Sequence, residues 1–168
     1  MESSHIEIEL RDARSDELVI IAKLLVAAYQ EYKEFMPADR WDWYQGDMLD
    51  VRNRMADSEL IVAEVRNKIA GAVTLYPEGS NNGWPAGWAG IRLLAVHPDY
   101  RGRGIGRALI EQCILQCRER GTKTIGLHTT ELMKVARGMY EQIGFKRIPE
   151  FDFHPAPDIV VFAYRLNL

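Results

Sequence analysis

Three glycines interleaved with arginines, Arg101-Gly102-Arg103-Gly104-Ile105-Gly106-Arg107, join an apolar segment, Ile91 to Val96, to an amphipathic helical pattern that begins Ala108-Leu109-Ile110. Such a stretch folds as a strand, a tight loop and a helix in immediate succession. Glycine lets the backbone turn with no Cβ in the way, and a helix that starts here leaves its first N–H groups without intrahelical partners. Those groups, the positive end of the helix dipole and the side chains of Arg101, Arg103 and Arg107 make an anion site. A phosphate or pyrophosphate is its natural ligand.

Spacing narrows the kind of phosphate ligand. A Walker loop needs Gly-x-x-x-x-Gly-Lys followed by Ser or Thr, and a dinucleotide fingerprint needs a glycine where this chain has Arg107. What stands is Val96-His97-Pro98, a short turn, and Arg101-x-x-Gly104-x-Gly106 opening a helix. Downstream, across a further predicted strand, lies Ala136-x-x-x-Tyr140-Glu141-x-x-Gly144-Phe145. This ordered pair of motifs resembles the two signatures of the GNAT acyltransferases, and the order of elements along nearly the whole chain is similar to that family's.

The remaining elements follow from periodicity and punctuation. Ile6, Ile8 and Leu10 alternate with acids, giving a first strand from Ile6 to Leu10. Ser15 caps a helix whose apolar positions Leu18, Ile21, Leu25, Ala28 and Tyr32 repeat as far as Pro37, and a second helix is expected from about Tyr44 to Met55. Leu60 to Val65 and Ile69 to Tyr76 form a hairpin turning near Asn67, followed by a loop from Pro77 to Gly87. Next come a strand, Trp88 to Val96, the helix Gly104 to Arg120 ended by Gly121, and a strand Thr124 to Thr129. A helix from about Leu132 to Ile143 stops at Gly144, and strands Phe145 to Ile148 and Ile159 to Leu166 flank a loop from Pro149 to Asp158.

Strands alternating with helices, together with hairpins, give a mixed α/β (α+β) sheet in one domain over residues 1–168. The resemblance sharpens this to a twisted, mostly antiparallel central sheet of about seven strands flanked by about four helices. It also implies that the sheet is splayed near Ile91 to Val96 at the acyl-CoA site.

In activity, the resemblance implies an N-acetyltransferase that moves an acetyl group from acetyl-CoA to a primary amine, on a small molecule or a peptide, by direct attack and without a metal. It implies that the backbone of Leu94, Ala95 and Val96 pairs with the pantetheine arm. The pyrophosphate then falls to the loop Arg101, Gly102, Arg103, Gly104, Ile105, Gly106 and Arg107. Tyr140 matches the family tyrosine, whose phenol protonates or hydrogen-bonds the departing thiolate. Two positions depart from the pattern. Met133 stands where many relatives carry an asparagine, which leaves Thr129, Thr130 or backbone to serve the cofactor arm. Gly90 stands where some relatives carry a glutamate base.

A base, if there is one, comes from elsewhere; waters relaying to bulk solvent are the alternative. Glu131, His128, Asp152 and Glu31 are candidates, and His128 has the ordinary pKa best suited to the task. Between Tyr29 and Asp50 aromatic residues mix with acids, and the late loop carries Phe151-Asp152-Phe153. Aromatic faces and carboxylates together hold an ammonium group, so Tyr29, Tyr32, Trp41 and Asp152 are the acceptor-binding candidates. The alternative for the same residues is a core stripe with a solvated acidic face.

Composition adds limits. The net charge of −3 argues against a nucleic-acid surface and suits a cationic acceptor. No apolar run reaches the length of a membrane span and the first residues lack signal-peptide character, so a cytoplasmic location is expected. Cys113 and Cys117 share one helix face as packing residues. Relatives of this kind are often homodimers. Two other function classes fit parts of the pattern: a CoA-binding or sensing module without catalysis, and a protein-interaction domain using the acidic aromatic surface.

Overall fold

The computed structural model describes residues 5–168. Eight strands and five α-helices are present among them: β1 Glu9–Asp12, α1 Leu18–Tyr29, α2 Ala38–Leu49, α3 Val51–Arg54, β2 Glu59–Val65, β3 Lys68–Tyr76, β4 Trp88–Val96, α4 Ile105–Glu119, β5 Thr124–Thr130, α5 Lys134–Ile143, β6 Lys146–Arg147, β7 Phe153–Ala156 and β8 Ile159–Asn167. The hydrogen-bonded order is β1-β2-β3-β4-β5-β8-β6, with β7 also on β8. The β4–β5 pair is parallel, while β1–β2, β5–β8, β6–β8 and β7–β8 are antiparallel. This is the mixed, mostly antiparallel sheet expected from the motifs.

The described residues form two compact units, residues 5–74 with 93–112, and residues 75–92 with 113–168. In the first, β1 pairs with β2 from Glu9↔Glu64 to Asp12↔Ile61, so the strand begins later than the Ile6 to Leu10 alternation suggested. Its position is pinned by charge. Arg11 Nη2 lies 2.6 Å from Glu17 Oε1 and 2.7 Å from Glu64 Oε2. The paired guanidinium holds the buried Glu17 carboxyl down to about 2. The β2–β3 turn falls at Arg66 and Asn67, both at positive φ, as a tight hairpin requires.

The helices of this unit differ from the periodic reading at their ends, and the helix expected from Tyr44 to Met55 is divided at Asp50 into the end of α2 and α3. α1 stops at Tyr29, a 3-10 stretch covers Gln30–Phe35, and α2 starts at Ala38 directly after Pro37. Proline cannot continue a helix but suits the start of one, which moves the second helix earlier than Tyr44. Gly71 of β3 lies under the first turns of α4. A Cβ there would meet Ile105 Cγ2 at 2.9 Å and Leu109 Cδ1 at 3.1 Å, so the glycine sets how closely that helix approaches the strand.

In the second unit, β5 pairs with β8 along its whole length, Thr124↔Asn167 to Thr130↔Val161. The parallel β4–β5 ladder runs from Trp88↔Thr124 to Ile91↔Leu127, and both strands continue past it. β7 is an addition to the expected strands. Phe153–Ala156 turns at Pro157 and Asp158 and pairs back onto β8, where the sequence suggested only loop; Pro155 is tolerated because the strand is short and lies at an edge. α5 ends at Gly144, whose φ of +120° only glycine adopts readily.

Candidate active site

β4 runs through Leu93 at a φ of +52°. A leucine in the left-handed region costs about 1–2 kcal/mol and marks an irregularity in the strand. Beyond it regular alternation resumes. His97 N–H donates to Ala70 O at 2.8 Å, and a Cβ on Gly71 would meet the Ala95 carbonyl at 3.0 Å, so Ala95 and His97 turn their backbone groups toward β3. Leu94 and Val96 therefore turn theirs to the opposite edge. On that edge the Tyr29 hydroxyl donates to Leu94 O at 2.7 Å.

The strand leads into the glycine-arginine loop. A 3-10 turn over Pro98–Tyr100 is capped by His97, whose Nδ1 accepts from the Asp99 amide at 3.1 Å. Gly102 and Gly104 have φ of +75° and +82°, the conformation for which glycine is needed there. The first helical bond of α4 runs from Ala108 N to Gly104 O, so the amides of Gly104, Ile105, Gly106 and Arg107 have no place in the helical ladder.

The arginines are engaged differently from the expectation that they add charge to the loop. Arg101 donates to Ala28 O at 2.8 Å and pairs with Glu31 at 3.0 Å. Arg103 lies over the Tyr100 ring at 5.5 Å, and Arg107 faces Glu111 at 3.6 Å along the helix surface. Arg101 thus braces the loop against the end of α1.

On the same unit, Gln30, Glu31, Lys33, Glu34, Met36 and Ala38 line an open cleft of about 500 Å³. Tyr32 is half-buried, and burial raises its phenol above the ordinary value, with a smaller contribution from Glu31. Two of the proposed acceptor ligands are used elsewhere. Trp41 is 2% exposed and belongs to the core, because α2 turns it inward together with Met48. Asp152 is held by Arg147, at 2.6 and 2.7 Å, and accepts the Ala163 amide at 2.7 Å. Both of its oxygens serve the fold of the second unit.

The second unit carries Tyr140 and His128. Tyr140 is buried on α5, edge-on to Phe145 at 5.8 Å. His128 Nε2 is 3.1 Å from Phe151 O, and its ring stacks on Trp84 at 4.5 Å and stands edge-on to Phe153 at 5.0 Å. Burial lowers its pKa, so it is neutral near pH 7, with Nε2–H donating to Phe151 O and Nδ1 carrying the lone pair. The hydroxyls of Thr129 and Thr130, on the strand that ends before Met133, have no hydrogen-bond partner among the described residues.

Trp84 is the residue sequence reasoning missed. Its indole lies over two glycines: a Cβ on Gly90 would sit 3.0 Å from Trp84 Cδ1, and one on Gly126 would sit 2.6 Å from Cδ2 and Cε2. The absence of a side chain at Gly90 is thus a packing requirement, since the space a strand glutamate needs is filled by indole. The pairing of Gly90↔Gly126 across the parallel ladder was the available signal.

A strand that outruns its parallel ladder and is followed by a glycine-turned helix N-terminus suits a ligand with an extended amide arm ending in phosphates, the donor of an acyltransferase. The chain belongs to the acetyltransferase (GNAT) family, whose model matches residues 21–145. It is 31% identical over 159 residues to the probable N-acetyltransferase camello of Xenopus laevis, spanning 89% of this chain and 69% of that protein. In fold it is similar to the PaiA N-acetyltransferase of Thermoplasma acidophilum in complex with coenzyme A, with a TM-score of 0.76 at 15% identity over 96% of this chain and 100% of that one. A GNAT acetyltransferase from Brucella melitensis in complex with acetyl-CoA gives a TM-score of 0.68 at 23% identity, over 98% and 90% of the two chains.

Proposed function

We propose that this protein transfers the acetyl group of acetyl-CoA to a primary amine by direct attack of the amine on the thioester. The observation that carries the reading is the succession of strand, loop and helix on the first unit. The strand that carries Leu94 and Val96 past Leu93 is followed in the chain by the loop whose helix leaves the amides of Gly104 to Arg107 outside its ladder. A strand edge offers donors and acceptors at the spacing of the amides in a pantetheine arm, and the helix N-terminus supports the pyrophosphate.

The Leu94 and Val96 backbone then holds the arm, the loop from Arg101 to Arg107 holds the phosphates, and the Thr129 and Thr130 hydroxyls replace the side chain that Met133 lacks. Tyr140 is assigned the proton that goes to the sulfur as the C–S bond breaks. His128 Nδ1 is assigned the proton that the attacking nitrogen gives up, directly or through water, a role its neutral form allows. An amine acceptor is supported by the cleft on the 3-10 stretch, where Glu34 adds a carboxylate beside Glu31, which is itself paired with Arg101. Among the described residues no helix is long and apolar enough to cross a membrane, and we assign the enzyme to the cytoplasm.

The test is thiol release from acetyl-CoA over a panel of amines: a diamine, an aminoglycoside, free lysine and a peptide with a free N-terminus. Turnover with at least one amine, reduced tenfold or more in Tyr140→Phe, is expected. Tight CoA binding without turnover of any amine would make the chain a CoA-binding module instead.

A further inference from the structure

Tyr29 was a candidate for holding the acceptor, yet the structure commits its hydroxyl to the backbone. It is the last residue of α1 and 8% exposed, and its ring is fixed against Tyr32 at 6.0 Å and Tyr44 at 5.9 Å. From there the hydroxyl reaches Leu94 O at 2.7 Å, one residue beyond the strained Leu93. The preceding residue, Ala28, gives its carbonyl to Arg101 at 2.8 Å, so the end of α1 is tied both to β4 and to the loop that follows it.

Two physical points give this contact meaning. A non-glycine residue at φ +52° persists only where its surroundings over-determine it, and the Tyr29–Leu94 bond is the side-chain restraint adjacent to it in sequence. The Leu94 N–H and C=O face the same edge. With the carbonyl capped by a hydroxyl, what Leu94 offers that edge is a donor, suited to an oxygen that gains negative charge during acyl transfer. Without the cap, a bare carbonyl oxygen would stand beside that charge.

We propose that Tyr29 is a positioning residue for acyl transfer: its hydroxyl holds the Leu94 carbonyl and so fixes the backbone torsions of Leu94, which keeps the Leu94 N–H, on the same edge, presented to the acyl oxygen. This rests on the acetyl-CoA reading above. It assigns Tyr29 to the donor side of the reaction, acting through the strand and without contact to the amine.

Tyr29→Phe removes one oxygen and keeps the ring between Tyr32 and Tyr44. Four measurements on the full chain decide the matter: amide hydrogen exchange without ligand, thermal melting, CoA affinity by calorimetry, and kcat with acetyl-CoA and the fastest amine of the panel. The expected result is exchange at Ala95 at least tenfold faster with β2 amides unchanged, kcat down about tenfold, and CoA affinity and amine KM within twofold. Unchanged exchange or unchanged kcat in an active wild-type background overturns the role of Tyr29 and leaves the enzyme reading standing. Loss of CoA affinity in step with kcat, or faster exchange throughout the chain with a lowered melting temperature, overturns it as well by showing general damage. A wild-type chain that neither binds CoA nor releases thiol overturns the acetyl-CoA reading itself and this role with it.

Discussion

Gly126→Ala should be among the most damaging single-methyl additions to this protein. The new Cβ would lie 2.6 Å from Cδ2 and Cε2 of Trp84 and 2.7 Å from Cε3, so three atoms of one rigid ring are overlapped at once. The indole has nowhere to retreat: Trp88 stacks on it at 5.7 Å, His128 at 4.5 Å, and Phe151 closes in at 5.6 Å. The strand cannot yield either, because Gly126 is paired with Gly90 on one side and Arg165 on the other. Overpacking a core costs about 1–3 kcal/mol, and a clash with no soft partner belongs at ~3 kcal/mol, a fall in Tm of about 6–12 °C for a chain of this size. The assay is urea unfolding followed by far-UV circular dichroism, which does not depend on the tryptophan itself. A double-mutant cycle isolates the cause. Trp84→Ala alone should cost about 3–5 kcal/mol, and in that background Gly126→Ala should cost less than ~0.5 kcal/mol. A single variant within ~0.5 kcal/mol of wild type, or additive costs in the cycle, would falsify the claim that the two glycines exist to seat the indole.

Two further outcomes follow from charges held by the fold. Glu17 has its carboxyl lowered from 4.5 to about 2 by Arg11, so it contributes ~3 kcal/mol that is fully present above pH 4.5 and lost as the pH falls toward 2. Glu17→Gln should remove that contribution at neutral pH and flatten the acid limb of the stability curve in this window; an unchanged acid limb would count against it. Asp152→Asn should lower stability by about 1–2 kcal/mol through the lost Arg147 pair while leaving amine KM unchanged, since the carboxylate serves the fold. A tenfold rise in amine KM at unchanged Tm would return Asp152 to the acceptor site.

Much of the site's donor side was legible because it is local. Glycines at 102 and 104 are needed for backbone angles set within the loop, and the helix that follows exposes its own amides whatever surrounds it. The left-handed backbone at Leu93 was not legible: nothing about leucine favours φ +52°, and only the surrounding contacts hold it there. Trp41 shows the limit of composition. Its aromatic and acidic neighbourhood suited an ammonium ligand, but which side of α2 faces inward depends on Pro37 starting the helix earlier than its apolar spacing suggested.

The sequence by itself determined most of the order of strands and helices, the hairpin turn near Asn67, the glycine-turned loop and the family, because each rests on residues close together along the chain. Tertiary structure alone decided what distant residues do to one another. It placed Trp84 over Gly90 and Gly126, drew Arg101 onto the end of α1, took Asp152 for Arg147, and gave the Tyr29 hydroxyl to Leu94. Those partners are set by packing across the sheet and between helices, where a ring, a carbonyl and a cation compete for the same few ångströms, and a linear pattern carries no record of which of them wins.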